Sequence, residues 1–223
     1  MDPPPRVSPI RRQSFQGICK SYDRRAPERA LGCTAVSAKF DELRGRLAEI
    51  NDLGRAASIL AWDQETMMPP RGAGVRAEQL ATLSRITHQK FTAPEVGKLL
   101  DDLAGFEQEH EPDSFEASLV RVVRRDWHKA CKVPSDLRAE MTRAGSHGLQ
   151  GWIKARNDND FKAFLPDLQR NLELRRQYIA CFDGDFAEPY DAVLDDYERG
   201  MTSAEVRPLF TRPSIASSVA TSR

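Results

Sequence analysis

Apolar residues recur every three or four positions through most of the chain, which is the repeat of a helix that buries one face. The pattern becomes helical from Ser37, and its first stripe predicts a long helix, roughly 25 residues, that stops at Met68-Pro69 because proline disfavours helix in the residue before it. Its apolar face is formed by Leu43, Leu47, Ile50, Leu53, Ala57 and Leu60.

Stripes of the same period follow, separated by prolines, glycines and polar turns. They predict helices over about residues 73–89, 94–103, 115–131, 137–152, 161–182 and 189–197, with a kink or restart at Pro166. Thr92 with Glu95, and Thr202 with Glu205, have the spacing of a capping box at the start of a helix. No strand pair or βαβ rhythm is found. The sequence therefore predicts an all-α fold, an array of about seven or eight helices.

The two ends of the chain differ from this helical region. Residues 1–36 contain three consecutive prolines and two Arg pairs but no apolar period, which is typical of a disordered extension or a mis-assigned start. A secretory signal is not expected there, because no apolar segment follows the charges, whereas an Arg-rich transit peptide stays open as an alternative. A last helix begins after the second capping box but stops near Phe210. Residues 211–223 are rich in Ser, Thr and Ala, which predicts an aberrant, disordered tail after a helical domain over residues 37–210.

Composition narrows the function classes further. The chain has 33 basic and 33 acidic residues, and this balance argues against a nucleic-acid or membrane-surface protein. No apolar run is long enough to span a membrane. The four cysteines are widely spaced and include no C-x-x-C, so a reducing cytoplasm is the simplest location.

A basic segment over residues 121–132 leaves an RNA-binding face open as an interpretation. The favoured interpretation is a solvated face, with Trp127 in the core.

The motifs of hydrolytic enzymes are absent from the sequence. The four histidines are 22, 18 and 19 residues apart, so no two share the helical turn that a zinc site of the H-E-x-x-H type needs: His88, His110, His128 and His147. The stretch from His110 to Ser114 resembles the start of that motif, but it contains a proline and lacks the second histidine. No G-x-S-x-G nucleophile motif occurs. No catalytic or metal-binding residue is therefore predicted.

The corner at the end of the first helix is the remaining candidate site. Trp62 and Met68 offer apolar surface that could line a groove. Asp63 and Glu65 could hold a cationic group or act as acid and base. The favoured interpretation is structural: Trp62 packs beneath the turn, Asp63 bonds to backbone or an arginine, and the following prolines fix the corner.

Three stretches resemble the N-terminal part of the carboxypeptidase Taq family of metallocarboxypeptidases. They are L-A-E-I-N-D-L-G-R-A-A-S-I-L-A-W-D-Q-E-T-M-M-P-P over residues 47–70, R-A-E-Q-L-A-T-L-S over 76–84 and Y-D-A-V-L-D-D-Y-E-R-G-M-T over 190–202. The likeness runs from Phe40 to Phe210, about three quarters of this chain but less than half of a typical member. Members are mostly helical, often dimeric, and remove C-terminal residues from peptides with a bound divalent metal, usually zinc.

The resemblance implies a chain without the catalytic part of the family. The family's H-E-x-x-H, H-P-F, D-x-R-x-T and G-x-x-Q-D-x-H-W motifs lie in the C-terminal half and do not occur here, so no catalytic or metal role carries over. The chain is then expected to be the non-metal-binding N-terminal portion of a zinc metallocarboxypeptidase, truncated or frame-shifted, inactive alone and without bound metal. Peptide substrate and homodimer formation belong to the intact family. Residues bordering its substrate groove would be Trp62, Asp63, Glu65 and Met68. The alternative is a non-enzymatic helical module that binds a separate catalytic half or another partner.

Overall fold

A computed structural model describes residues 34–211, with side chains described for residues 36–210. This part contains no strand, and seven of its α-helices have nine residues or more, which confirms the all-α prediction. The helices are α1 (Thr34–Thr66), α2 (Ala73–Phe91), α3 (Pro94–Asp102), α4 (Ala104–Gln108), α5 (Phe115–Cys131), α6 (Ser135–Asn157), α7 (Phe161–Ala180), α8 (Asp191–Leu194) and α9 (Ser203–Thr211), with a 3₁₀ turn over Pro70–Gly72.

The predicted chain ends lie almost wholly outside the described residues. This applies to the extension over residues 1–36 and the tail over 211–223, except where α1 and α9 reach into them. Helix α1 starts at Thr34, three residues before the predicted position. Helix α7 runs through Pro166 without a restart. The proline lies early in α7, so it removes only one backbone hydrogen bond near a helix end. Among the described helices, none combines the length and apolarity needed to cross a membrane.

One of the two predicted capping boxes is confirmed and the other is wrong. At the start of α9, the backbone N–H of Thr202 donates to Glu205 Oε2 at 2.9 Å, and the N–H of Glu205 donates to Thr202 Oγ1 at 3.3 Å. At the start of α3, by contrast, Thr92 makes no cap. Its hydroxyl donates to the His88 carbonyl oxygen at 2.8 Å, so it closes the end of α2 instead. The residue before α3 is Ala93.

A main apolar core joins α1 to α3, α4 and α5. Leu43 of α1 and Leu103 are fully shielded from solvent within it. The cluster comprises Phe40, Leu43, Val96, Leu99, Leu100, Leu103, Phe106, Val120 and Val123. Trp127 packs against this cluster, as predicted for the apolar side of α5. The core fixes only the first part of α1, since no side chain from Ile50 to Thr66 is buried.

A second core cluster lies where α7 meets the segment around α8. It consists of Val133, Tyr178, Phe182 and Ala192, and the rings of Tyr178 and Phe182 meet edge to face at 5.0 Å. Helices α6 and α7 approach closely because α6 has small residues on the contact face. A Cβ at Gly151 would lie 1.9 Å from Asp167 Oδ2, so a larger residue there would require that carboxylate to move. Helix α2 packs against α6 and also contacts α5, so α2, α5, α6 and α7 surround a common space.

Candidate functional site

The corner after α1 is held by an ion pair between Asp63 and Arg76. The Arg76 Nη1 atom lies 2.6 Å from Asp63 Oδ2 and donates to the Leu60 carbonyl oxygen at 2.7 Å. The backbone N–H groups of Met67 and Met68 both donate to the Asp63 carbonyl oxygen, at 2.9 and 2.8 Å. Asp63 therefore joins the end of α1 to α2, in agreement with the predicted bond to an arginine.

The other three predicted groove residues do not converge with Asp63. Trp62 is 61 % exposed, so the prediction that it packs beneath the turn is wrong. Successive helical residues point about 100° apart, and the side next to α2 is taken by Asp63. Glu65 is exposed, and Met68 is half-buried against Gly72. None of the four lines the cavity that lies among α1, α2, α5, α6 and α7.

That cavity has a volume of about 840 Å³ and lies among α1, α2, α5, α6 and α7. This size is typical of small-molecule sites. One part of its wall is apolar and is formed by Ile50, Ala57, Leu80, Phe91, Val133 and Met141. The other part is polar and charged and is formed by His88, Asp126, Lys129, Arg138, Arg175, Tyr178 and Asp196. Sequence reasoning missed this cavity because its residues come from distant segments and share no motif.

Lys129 is the centre of an ionic network on the charged wall. Its Nζ atom lies 2.5 Å from Asp195 Oδ2 and 2.8 Å from Asp196 Oδ1. Burial alone would lower the pKa of Lys129, but hydrogen bonds and charges from both carboxylates outweigh it and raise the pKa. The pKa of Asp195 is lowered, because the bonds from Lys129 and from the Gly200 N–H outweigh the opposing effect of burial. Lys129 therefore remains a cation with its charge fully compensated.

Tyr178 links this network to two arginines. Its hydroxyl donates to Asp196 Oδ1 at 2.7 Å, and burial together with that carboxylate raises its pKa, so the phenol stays protonated. The guanidinium carbons of Arg175 and Arg138 lie 5.5 and 5.7 Å from the centroid of its ring, within cation–π range. Arg175 also lies 3.9 Å from Asp196 Oδ2.

His88 lies on the cavity wall with both ring nitrogens in hydrogen bonds. Nε2 lies 3.1 Å from the Ala130 carbonyl oxygen, which can only accept, so Nε2 carries the proton. Nδ1 lies 3.1 Å from Ser135 Oγ and then accepts from that hydroxyl. Burial, followed by the positive charge of Arg138, lowers the pKa of His88, so the imidazole is neutral. Neither ring nitrogen has a free lone pair for a metal.

This environment predicts that His88 makes the protein less stable in mild acid. The unfolded state binds the proton first, near pH 6.5, because the folded-state pKa is lowered. The stability contribution of neutral His88 is thus complete above about pH 6.5 and is lost as pH falls below it. Urea unfolding between pH 7.5 and 5 should show this loss in the wild type and less of it in His88→Gln.

The exposed His147 provides the matched control for this pH dependence. His147→Gln should keep the wild-type slope of unfolding free energy against pH. The carboxylates with lowered pKa values, such as Glu140 and Asp195, lose their contribution as pH falls through their ordinary pKa values of 4.5 and 3.8, below this window. Equal slopes for wild type and His88→Gln would contradict the assignment.

Each of the other three histidines has surroundings of its own and shares no partner with His88. His110 Nδ1 donates to the Phe106 carbonyl oxygen at 2.7 Å, and its ring lies 4.1 Å from the Phe106 ring. His128 meets the edge of Trp127, and His147 is exposed. Within residues 36–210, no three His, Cys, Asp or Glu side chains come together in a way that could hold a metal ion. The described residues therefore do not fit a catalytic zinc, which takes three protein ligands.

The basic side chains of α5 lie next to acidic partners. Arg121 lies 3.9 Å from Glu107, and Arg124 lies 3.7 Å from Asp101. The remaining pairs are Arg125 with Asp126, Lys129 with Asp195 and Asp196, and Lys132 with Asp185. This pairing supports the solvated-face interpretation of residues 121–132.

Asp191 is a buried carboxylate that sequence reasoning did not single out, although it lies in the 190–202 stretch. Its Oδ1 accepts from the N–H and hydroxyl of Ser203 at 2.7 and 2.6 Å, and its Oδ2 accepts from the N–H of Glu188 at 3.2 Å. These bonds, led by that of the Ser203 hydroxyl, lower the pKa of Asp191. Asp191 thereby joins α8 to the start of α9.

Comparison with known proteins places these features in one family. A family model described as carboxypeptidase Taq (M32) metallopeptidase matches residues 42–217, seven residues beyond the end that the sequence resemblance gives. Thermostable carboxypeptidase 1 of Thermus thermophilus is 36 % identical over 166 residues, which cover 71 % of this chain and 32 % of that protein.

Solved structures give the same result. The protein in the BsuCP crystal structure is 26 % identical in sequence, and the two folds superpose with a TM-score of 0.72. The match covers 78 % of this chain and 34 % of that protein. The M32 carboxypeptidase from Deinococcus radiodurans R1 is 30 % identical with a TM-score of 0.60, at the same coverage. The chain thus spans about a third of the length of these relatives.

Proposed function

Because this chain belongs to the carboxypeptidase Taq (M32) metallopeptidase family, we propose that it supplies the N-terminal portion of a zinc-dependent enzyme that removes C-terminal amino acids from peptides. The observation that carries the proposal is the family match over residues 42–217. Its relatives are carboxypeptidases three times as long as the matched segment. The peptide substrate, the zinc ion and a truncated state of the present chain are all parts of this proposal.

In this proposal the chain contributes scaffold and substrate-groove surface rather than metal ligands. The engagement of both His88 nitrogens and the separation of the other histidines support this role. No hydrolytic step is assigned to these residues, since they do not fit a catalytic zinc. The 223-residue chain alone is accordingly inactive and carries no metal.

The groove surface is the corner formed by Trp62, Asp63, Glu65 and Met68. The exposure of Trp62 supports this role, because an indole beside a carboxylate suits a peptide with both apolar and cationic groups. Asp63 then positions the corner through Arg76, and Glu65 faces solvent. A homodimer and a cytoplasmic location complete the proposal, and the free Cys131 and Cys181 support a reducing compartment.

A second candidate function is a non-enzymatic helical module that binds a separate catalytic half or another partner. The apolar side chains exposed around the α1–α2 corner favour it, since Ile59, Trp62 and Val75 are 67, 61 and 64 % exposed. Such surface is typical of a face that another polypeptide covers.

Peptide hydrolysis by the purified 223-residue chain tests the proposal. An N-blocked dipeptide with a free C-terminus is incubated with the chain, with Zn²⁺ or Co²⁺ added, and with a chelator as the control. We expect no turnover in any arm. Chelator-sensitive turnover would contradict the assignment of these residues to scaffold and groove.

The DNA that follows the coding sequence distinguishes the two candidates. An H-E-x-x-H segment encoded there in another frame supports the metallocarboxypeptidase portion, and its co-expression with this chain should restore hydrolysis. An unrelated neighbouring gene, together with a chain that is soluble by itself, favours the module.

A further inference from the structure

We propose that the 840 Å³ cavity among α1, α2, α5, α6 and α7 binds an apolar molecule that carries one carboxylate, with Arg138 as the partner of the anion. The cavity shares no lining residue with the corner at Trp62. It follows from the charges and the apolar wall of the cavity.

The charges that line the cavity do not balance. Three cationic side chains face it, and two of them have acidic partners: Lys129 pairs with Asp195 and Asp196, and Arg175 lies near Asp196. The two carboxylates on the wall are also engaged, since Asp126 pairs with Arg125 and Asp196 with Lys129. Among the described lining residues, Arg138 is the cation whose charge no carboxylate compensates. The cavity therefore carries a surplus positive charge at this position.

The Arg138 guanidinium lies over the Tyr178 ring rather than against an acid. Its carbon is 5.7 Å from the ring centroid, and its charge acts on both His88 and the Tyr178 phenol. Stacking on an aromatic ring holds the guanidinium plane while its N–H groups stay available to a planar anion. A carboxylate fits this arrangement because it can accept two parallel bonds from one guanidinium.

The apolar lining residues suit the apolar body of the ligand. Ile50, Leu80, Phe91 and Met141 present hydrocarbon surface, and Gly54 leaves open space on the α1 side. A cavity that combines such a wall with a few polar groups is the usual form of a site for a small amphiphilic molecule. Two sources offer this chemistry: a free fatty acid, and a short apolar peptide with a free C-terminus.

A fluorescent fatty acid and its uncharged ester test the proposal on the full chain. We expect cis-parinaric acid to bind saturably at one site, and its methyl ester to bind roughly tenfold more weakly, because the ester cannot form the charged pair. Arg138→Met should remove the preference for the acid and leave ester binding unchanged. The exposed Arg55, mutated to Met, is the matched control and should keep the preference. Equal affinities of acid and ester for the wild type would overturn the proposal.

A blocking variant tests whether the cavity is where the probe binds. A Cβ at Gly54 meets nothing within 4 Å, so Gly54→Leu should place its side chain in the cavity without a clash and weaken binding. Gly45→Leu, also on α1 and also in open space but outside the cavity, should bind as the wild type does. Unchanged binding by Gly54→Leu would overturn the proposal.

Two further measurements complete the test. Displacement of the probe by decanoate identifies a fatty acid as the source, and displacement by N-acetyl-Leu-Phe identifies a peptide carboxylate; failure of both would overturn the proposal. If Arg138→Met loses binding of acid and ester together, the acid and ester affinities of Arg138→Lys are compared instead. A recovered preference for the acid supports the proposal, and no recovery contradicts it.

Discussion

Replacement of Leu43 by alanine is expected to lower the free energy of unfolding by roughly 3 kcal/mol. Leu43 is fully shielded and belongs to the cluster that joins α1 to α3, α4 and α5. The loss combines the transfer free energy of the removed atoms with the cavity they leave. The effect should be large because the later part of α1, from Ile50 onward, has no buried side chain that could hold the helix in place.

Urea unfolding followed by circular dichroism measures this loss. Leu209→Ala is the matched control, since Leu209 is 62 % exposed and its truncation should change stability by less than about 0.5 kcal/mol. A loss below about 1 kcal/mol for Leu43→Ala would show that α1 is not anchored through this cluster.

Replacement of Gly97 by alanine is expected to destabilise the protein although alanine is the better helix former. A Cβ at this position of α3 would lie 2.5 Å from Cζ2 and 2.7 Å from Cη2 of Trp127. The indole packs against the main core, so it has to shift as a rigid ring rather than bend away. Overpacking of this kind costs roughly 1–3 kcal/mol, and the helix propensity of alanine offsets about 0.8 kcal/mol of it.

Gly45→Ala supplies a control of opposite sign. Gly45 lies in α1 with nothing within 4 Å of its Cβ position, so alanine there should stabilise the protein by about 0.5–1 kcal/mol. Both variants are compared by urea unfolding and by the fluorescence maximum of tryptophan, which should change only for Gly97→Ala. Stabilisation of both variants to the same extent would contradict the close contact between α3 and Trp127.

The helices could be predicted from the sequence because each has its own apolar period and its own stop. The break before Pro69 and the capping box from Thr202 to Glu205 are local signals, and both agree with the structure. Thr92 shows where local reasoning fails. The same hydroxyl can serve the helix before it or the helix after it, and the choice depends on the carbonyl of His88, which spacing does not reveal.

The contacts of the corner between α1 and α2 could be predicted in part from the sequence, whereas the cavity among α1, α2, α5, α6 and α7 could not. The sequence predicted that Asp63 bonds to backbone or to an arginine, and the structure identifies that arginine as Arg76 in the first turn of α2. The orientation of Trp62 depends on how α2 leaves the corner, so its exposure could not be derived from the pattern. Arg138 acquires its significance only when Tyr178 and His88, from two other helices, come next to it.

Zinc stoichiometry is the measurement that tests the central claim most directly. The purified 223-residue chain is loaded with excess Zn²⁺, dialysed against metal-free buffer, and analysed for zinc per chain by mass spectrometry. The account predicts far less than one zinc per chain, because His88 is committed to Ala130 and Ser135 and the other histidines lie apart. One retained zinc per chain, lost in His88→Gln or His110→Gln, would contradict the assignment of this chain to the non-metal-binding part of the family.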